Sequence, residues 1–176
     1  MVFAHDTELT LQAVVELVNT ADDPDGLTSV DQLQAFRARW EWTGRYDGTK
    51  AELEAVRALR GPLRALLLAG RDEAAEMVNA ILDEAGAVPR LVRHETLDWH
   101  IHAEPPNAPF VTQLAVETAM AMVDVIRDNE SSRIAVCAAD DCDSVALDLS
   151  RNRSKRFCST TCGNRAAVQA YRARNA

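Results

Sequence analysis

Cys137-Ala-Ala-Asp-Asp-Cys142 and Cys158-Ser-Thr-Thr-Cys162-Gly-Asn-Arg165 contain every cysteine of the 176-residue chain, in two close pairs. Four residues separate the first pair, three the second, and fifteen lie between them, so two short knuckles can turn four sulfurs onto one ion. Zn2+ is the expected ion, because it accepts a tetrahedral thiolate set without redox chemistry. Four protein ligands leave no position for substrate or activated water, so the site reads as structural. The alternatives are two disulfides or four unrelated free thiols. The chain starts Met-Val-Phe-Ala-His-Asp, without the basic start and apolar core of a signal peptide. A reducing cytoplasm is therefore expected, where disulfides are rare.

Around these knuckles the chain carries Ser150-Arg-Asn-Arg-Ser-Lys-Arg-Phe157 before the third cysteine and Gly163-Asn-Arg165 after the fourth. The stretch from Cys137 to about Arg174 resembles the CGNR zinc finger. Leu17-Val-Asn-Thr20 resembles the opening motif of the helical ABATE domain that usually precedes this finger. The second cysteine spacing is shorter than in many members, and Ala146 stands where an aromatic is common. Both departures bear on packing, not on metal binding. The resemblance implies a bacterial transcriptional regulator with an ABATE-like domain over 1–130 and a finger over 133–176, the finger built like a treble clef from a hairpin and a helix.

Charge divides the chain the same way. Residues 150–176 hold Arg151, Arg153, Lys155, Arg156, Arg165, Arg172 and Arg174 with no acidic residue, whereas the whole chain carries a net charge of −8. An acidic body with a basic tail suggests that a polyanion meets the tail. A solvated surface, docked on the acidic body, would have the same composition. Arg151, Asn152, Arg153, Lys155 and Arg156 fall in a loop suited to phosphates. Arg165, Gln169 and Arg172 share one side of a final helix, where arginine can reach base edges, while Ala167, Ala170, Tyr171 and Arg174 gather on the other. That helix is expected to be capped by Ser159 or Thr160, packed on one face and offered to a partner on the other. Asn164, beside a ligand, is expected to fix a turn or donate to sulfur; an ordinary early-helix residue is the alternative.

The body reads as helices. A hydrophobic fraction of 47% supplies a core without help from metal, and no apolar run approaches the roughly 20 residues that span a bilayer. Periodicity predicts helices over 6–19, from Ser29 through Trp40, from Thr49 through Leu67 and over 72–85. Ser29 with Gln32, and Thr49 with Glu52, read as capping boxes. Pro62 should kink or split the third helix, and Gly86 should end the fourth. A long helix over 110–127 buries Leu114, Met120, Val123 and Val125 or Ile126. Ile134 and Val136, then Val145, Leu147 and Leu149, alternate as the two strands of the finger hairpin. The polar linker 128–132 is short, so the finger should lie against the long helix.

One stretch has a different period. Leu97, Trp99, Ile101 and Ala103 alternate with Thr96, Asp98, His100 and His102, which argues for a strand with its apolar face inward and its polar face in solvent, paired with residues 90–93. His94, His100 and His102 could bind metal or titrate near neutrality, but a solvated polar face explains them without any function and is the reading preferred, since one short His-x-His stretch is weak evidence for a site. Trp40 and Trp42 read as one core residue and one exposed neighbour. No phosphate loop, nucleophile elbow or His-Glu-x-x-His helix occurs.

The expected protein is α+β, mainly α: a helical body with a small β-hairpin, and a C-terminal four-cysteine finger. The finger binds nucleic acid, DNA in preference to RNA, and the body senses a small-molecule ligand or forms a homodimer. No membrane is involved. Two other classes fit the same chain. The finger could be a zinc-stabilised protein-interaction module, which would bind no DNA at any salt concentration. The body could be a small-molecule enzyme using the histidine strand, which would show as a substrate-like ligand in its pocket.

Overall fold

The computed structural model describes residues 2–94 and 97–175, with His94 and Leu97 by their backbone alone. Side-chain caps decide where several helices begin. Ser29 accepts from the Gln32 amide while the Gln32 side chain accepts from the Ser29 amide, a complete capping box opening the helix Val30–Arg39. Thr49 likewise accepts from the Glu52 amide at the start of Lys50–Leu68, but Glu52 turns to the preceding loop and accepts from the amides of Asp47 and Gly48. Only half of the second predicted box therefore forms.

In chain order the body is α1 (His5–Asn19), α2 (Val30–Arg39), α3 (Lys50–Leu68), α4 (Arg71–Ala85), β1 (Arg90–His94), β2 (Leu97–His102) and α5 (Phe110–Arg127). A 3-10 turn over Ser131–Arg133 leads into β3 (Ile134–Val136) and β4 (Val145–Leu147), and α6 (Thr160–Arg174) ends the chain. Each strand pair is antiparallel, β1 with β2 and β3 with β4. Among the described residues no helix is long and apolar enough to cross a membrane.

Pro62 neither ends nor splits α3, which runs through it. The reason is placement: Pro62 and Ala58, whose carbonyl loses its partner, both lie on the exposed side, where water can replace the missing donor. Gly86 ends α4 in the left-handed conformation at φ 59°. α5 lies at the centre of the body, packed against α1, α3 and α4. Its buried set is therefore wider than one stripe: Phe110, Gln113, Leu114, Val116, Thr118, Ala119, Ala121, Met122 and Val125 are buried, while Met120, Val123 and Ile126 are half-buried.

The finger hairpin joins this core directly. Ile134, Val145 and Leu147 belong to the same apolar cluster as Leu17, Leu63 and Leu114. Asn19 at the end of α1 pairs with Val145 through both backbone groups, its amide donating to the carbonyl at 2.9 Å and its oxygen accepting from the N–H at 2.7 Å. The finger thus lies mainly against α1 and α3, not α5 as the short linker suggested.

Between α1 and α2 an ion-pair network closes the body. Asp25 accepts from both terminal nitrogens of Arg60 at 2.8 and 2.9 Å, from Arg57 at 3.0 Å and from the Leu27 amide at 2.8 Å. Arg60 is 8% exposed. The Arg60 hydrogen bonds and then the Leu27 amide hold the Asp25 carboxyl well below the usual carboxylate range. A depressed folded-state pKa stabilises above the unfolded pKa, about 4, and the contribution fades as pH falls through the folded value. Asp25→Ala should cost about 3 kcal/mol at neutral pH, because it leaves Arg60 buried without its carboxylate. Urea unfolding across a pH series checks both points, since the gap between wild type and variant should narrow only below about pH 4.

β2 faces the opposite way from its predicted orientation. Trp99 is 63% exposed and Ile101 40%, whereas His100 is 8% exposed. His100 and His102 turn inward, where they meet polar partners, while Asp98 stays exposed; Trp99 outside carries the Arg93 guanidinium 5.5 Å from its ring centroid. Thr96, expected on the polar face, lies outside the described residues, as does the His94 side chain.

Candidate metal centre

The four cysteine sulfurs meet at one point, all within 4.8 Å of one another. Cys142 Sγ and Cys162 Sγ each lie 3.6 Å from Cys158 Sγ, and zinc–sulfur bonds of about 2.3 Å would set tetrahedral sulfurs roughly 3.8 Å apart. The donor set therefore fits a zinc ion, which would organise the fold here and supply no reaction. Cys137 follows β3, Cys142 closes the first knuckle, Cys158 precedes α6 and Cys162 is buried in its first turn. Ser159 caps α6 by accepting from the Cys162 amide at 3.2 Å, so the cap also aims the last ligand.

Donors surround the sulfurs. The Cys158 N–H points to Cys137 Sγ at 3.4 Å, and Cys142 Sγ stands 3.3 Å from the hydroxyl of Ser144, which in turn donates to Asp22 of the body. The Ser144 contact draws the Cys142 thiol down to about 7, while burial pushes Cys158 up to about 12. The outer-sphere role expected of Asn164 falls to its neighbour: Asn164 is exposed, and Arg165 donates to Cys162 Sγ at 3.5 Å while pairing with Asp141 at 2.8 Å. Arg165 is thus tied to the knuckle before it could serve a base edge.

The loop 150–156 is a built structure. Buried Asp148 accepts from the Ser150 and Lys155 amides at 2.8 Å each, and buried Arg133 donates to the carbonyls of Asp148 and Ser150. Burial works against the Asp148 carboxylate, but the Ser150 and Lys155 hydrogen bonds and the Arg133 charge hold it below the usual range. With the backbone fixed from inside, Arg151, Asn152, Arg153, Lys155 and Arg156 are all exposed. Arg153 is partly spent on Glu130, at 2.7 Å. Arg151, Lys155, Arg156, Arg172 and Arg174 form no ion pair among the described residues.

Sequence reasoning missed Asp148 and Arg133. Their signal was available: Asp148 is the lone acid in the Val145–Leu149 alternation. The last helix also differs from expectation. Cys162 is its one buried residue, and beyond it Gln169 and Arg172 on one side and Val168 and Tyr171 on the other are all exposed. Beyond Cys162 no described residue of α6 is buried, so the knuckle at its first turn is its anchor.

A second cluster lies inside β2. The His100 Nδ1 stands 2.7 Å from the Asp98 carbonyl and its Nε2 2.8 Å from His102 Nε2; His102 Nδ1 then faces Glu104 at 2.7 Å and Glu117 of α5 at 3.3 Å. Burial, then the neighbouring Glu104 carboxylate, push Glu117 up to about 9; Glu104, although burial opposes it, is held near 2 by its bond to His102. A cavity opens beside these groups, lined by Asp6, Thr10, Trp40, Trp42, His102 and Glu117 among others. Both tryptophans are half-buried walls of this cavity, so neither is the exposed neighbour that the sequence suggested. The turn that carries them is a helix C-terminus with Glu41 left-handed at φ 52° and the Trp42 amide bonded back to Arg37. Gly44, at φ 84°, closes it onto Gln113, whose side-chain nitrogen lies 2.9 Å from where a Cβ would stand.

Comparison with known families gives two adjacent matches. The family model for ABATE, described as "Putative stress-induced transcription regulator", matches residues 11–129, and that for the CGNR zinc finger matches residues 133–175. No curated protein matches the chain.

Proposed function

Since the chain belongs to the ABATE family and carries a CGNR zinc finger, we propose that it is a cytoplasmic transcriptional regulator whose finger binds DNA. The observation that carries this reading is the loop 150–156: Asp148 and Arg133 hold its backbone from within, so that its cations face solvent as a fixed array. Arginines and lysines displayed on a rigid backbone suit phosphates, because only their side chains, and not the backbone, must be ordered on binding. Arg172 and Gln169, on the uncovered α6, remain free to approach base edges, while Zn2+ at Cys137, Cys142, Cys158 and Cys162 keeps loop and helix in register. Both families are of regulator and zinc-finger type rather than enzymes.

The test is binding to duplex DNA across a salt series. Removal of one cation that neutralises a phosphate should reduce the slope of log affinity against log salt by about 0.9. Arg156→Ala should do this and weaken all sequences alike; Arg153→Ala should do less, since its guanidinium is shared with Glu130. Arg172→Ala should cost roughly 1–3 kcal/mol at a preferred site and little on random DNA. Wild-type protein that binds neither DNA nor RNA at low ionic strength would sink the proposal. Exposure of Val168 at 49% and Tyr171 at 63% would then favour a protein partner on α6.

A further inference from the structure

We propose that His102, Glu104 and Glu117 form a second metal site, which takes a divalent first-row transition ion through one imidazole nitrogen and two carboxylate oxygens. The three donor atoms lie within 4.8 Å of one another. Two of the separations, 2.7 and 3.3 Å, bracket the roughly 3 Å expected between neighbouring nitrogen and oxygen ligands on an ion held at about 2.1 Å.

The groups behind His102 suit a ligand. The Asp98 carbonyl can only accept, so His100 Nδ1, 2.7 Å away, carries a hydrogen. The two Nε2 atoms lie 2.8 Å apart, which joins the His100 ring to His102 through the nitrogen that does not face the carboxyl groups. His102 Nδ1 faces both carboxyl groups, and an ion seated among the three atoms would take the place of the protons they hold between them. A chain of imidazole and backbone carbonyl behind a coordinating histidine is the support that fixes tautomer and ring orientation in metal sites. Glu117 Oε1 is buried, with His102 Nδ1 3.3 Å away, so an ion there would meet it beside the imidazole.

The surroundings suit an ion that is not fully enclosed. His102 and Glu117 both line the Trp40–Trp42 cavity, and His102 and Glu104 line a neighbouring one beside Pro105. Three protein donors leave coordination positions for water or an oxygen ligand. The indole N–H groups of Trp40 and Trp42, which are buried without an acceptor, belong to the wall such a ligand would meet. Nitrogen and oxygen donors also keep this site chemically apart from the four thiolates, which favour softer ions.

The experiment uses the full chain, loaded with zinc and freed of excess, and titrated with Co2+. One further equivalent should bind, with weak d–d absorption and without the sulfur-to-metal charge transfer that cobalt in the cysteine site would give. Glu117→Gln, nearly isosteric, and His102→Gln should each weaken that step at least tenfold while zinc content stays at that of wild type. Circular dichroism melts of both variants verify that the fold persists, and at least Glu117→Gln should pass. Absence of the second equivalent in wild type, its appearance only with thiolate charge transfer, or its survival in Glu117→Gln would each overturn the assignment.

Discussion

A Cys158→Ser chain should lose the ordered structure of residues beyond β4 and keep the helices of the body. The apolar content of the knuckle is too small to fold it alone: Cys137, Ala139 and Cys162 are its buried members, with Cys142, Phe157 and Cys158 packed around them. Structural zinc in small fingers contributes on the order of 10 kcal/mol or more to folding, and no packing visible in this segment replaces it. Amide exchange should therefore show α6 unprotected in the variant while α1 and α5 stay protected, and zinc per chain should fall. DNA binding, on the proposed reading, should disappear with it. Retained protection of α6 under a strong chelator would mean that something other than metal organises the knuckle.

A chain ending at Glu130 should melt well below the full-length protein, whereas one ending at Ser150 should lie close to it. The first cut removes Ile134, Val145 and Leu147, which are 6%, 0% and 4% exposed, and strips Asn19 of both its partners. At roughly 1.5–3 kcal/mol for each buried aliphatic side chain, the loss is about 5 kcal/mol or more. At roughly 2–4 °C per kcal/mol for a domain of this size, that corresponds to about 10 °C or more in melting temperature. The second cut keeps the hairpin with the first two cysteines and removes the loop 151–156, the last two cysteines and α6. Thermal melts of both chains in a chelator separate the two cases, and equal melting of the Glu130 chain and the full chain would make the hairpin a passenger on the body.

How much of this was legible depends on where the deciding interactions lie. Helix positions were readable because Ser29, Thr49 and Gly86 act within one turn of their own residues, and the four cysteines because nothing else concentrates thiols so closely. The orientation of β2 was not. Alternation identifies two faces, but which one is buried was settled by residues distant in sequence: Glu117 of α5 gives His102 a charged partner inside, and Trp99 needs none. That α3 is not split at Pro62 was hidden for a similar reason, since the penalty for an unpaired backbone carbonyl depends on solvent at Ala58, which periodicity of apolar residues does not report. Arg165 and Arg153 counted as free cations on the helical wheel and in the charge tally. Their partners, Asp141 and Glu130, lie in other segments, so a sum over sequence could not show that they are already engaged.

α1 has a consequence of a mechanical kind. Its first half, through Asp6 and Thr10, forms a wall of the histidine cavity, and its last residue, Asn19, grips Val145 of the finger. Just beyond, Asp22 receives the hydroxyl of Ser144, which touches Cys142. A helix transmits displacement along its axis because its hydrogen bonds leave no soft joint, and Thr10 and Asn19 are separated by about 14 Å of it. The helix would therefore act as a push-rod: displacement of its cavity end would either strain the Asn19 clasp or carry the finger hairpin with it.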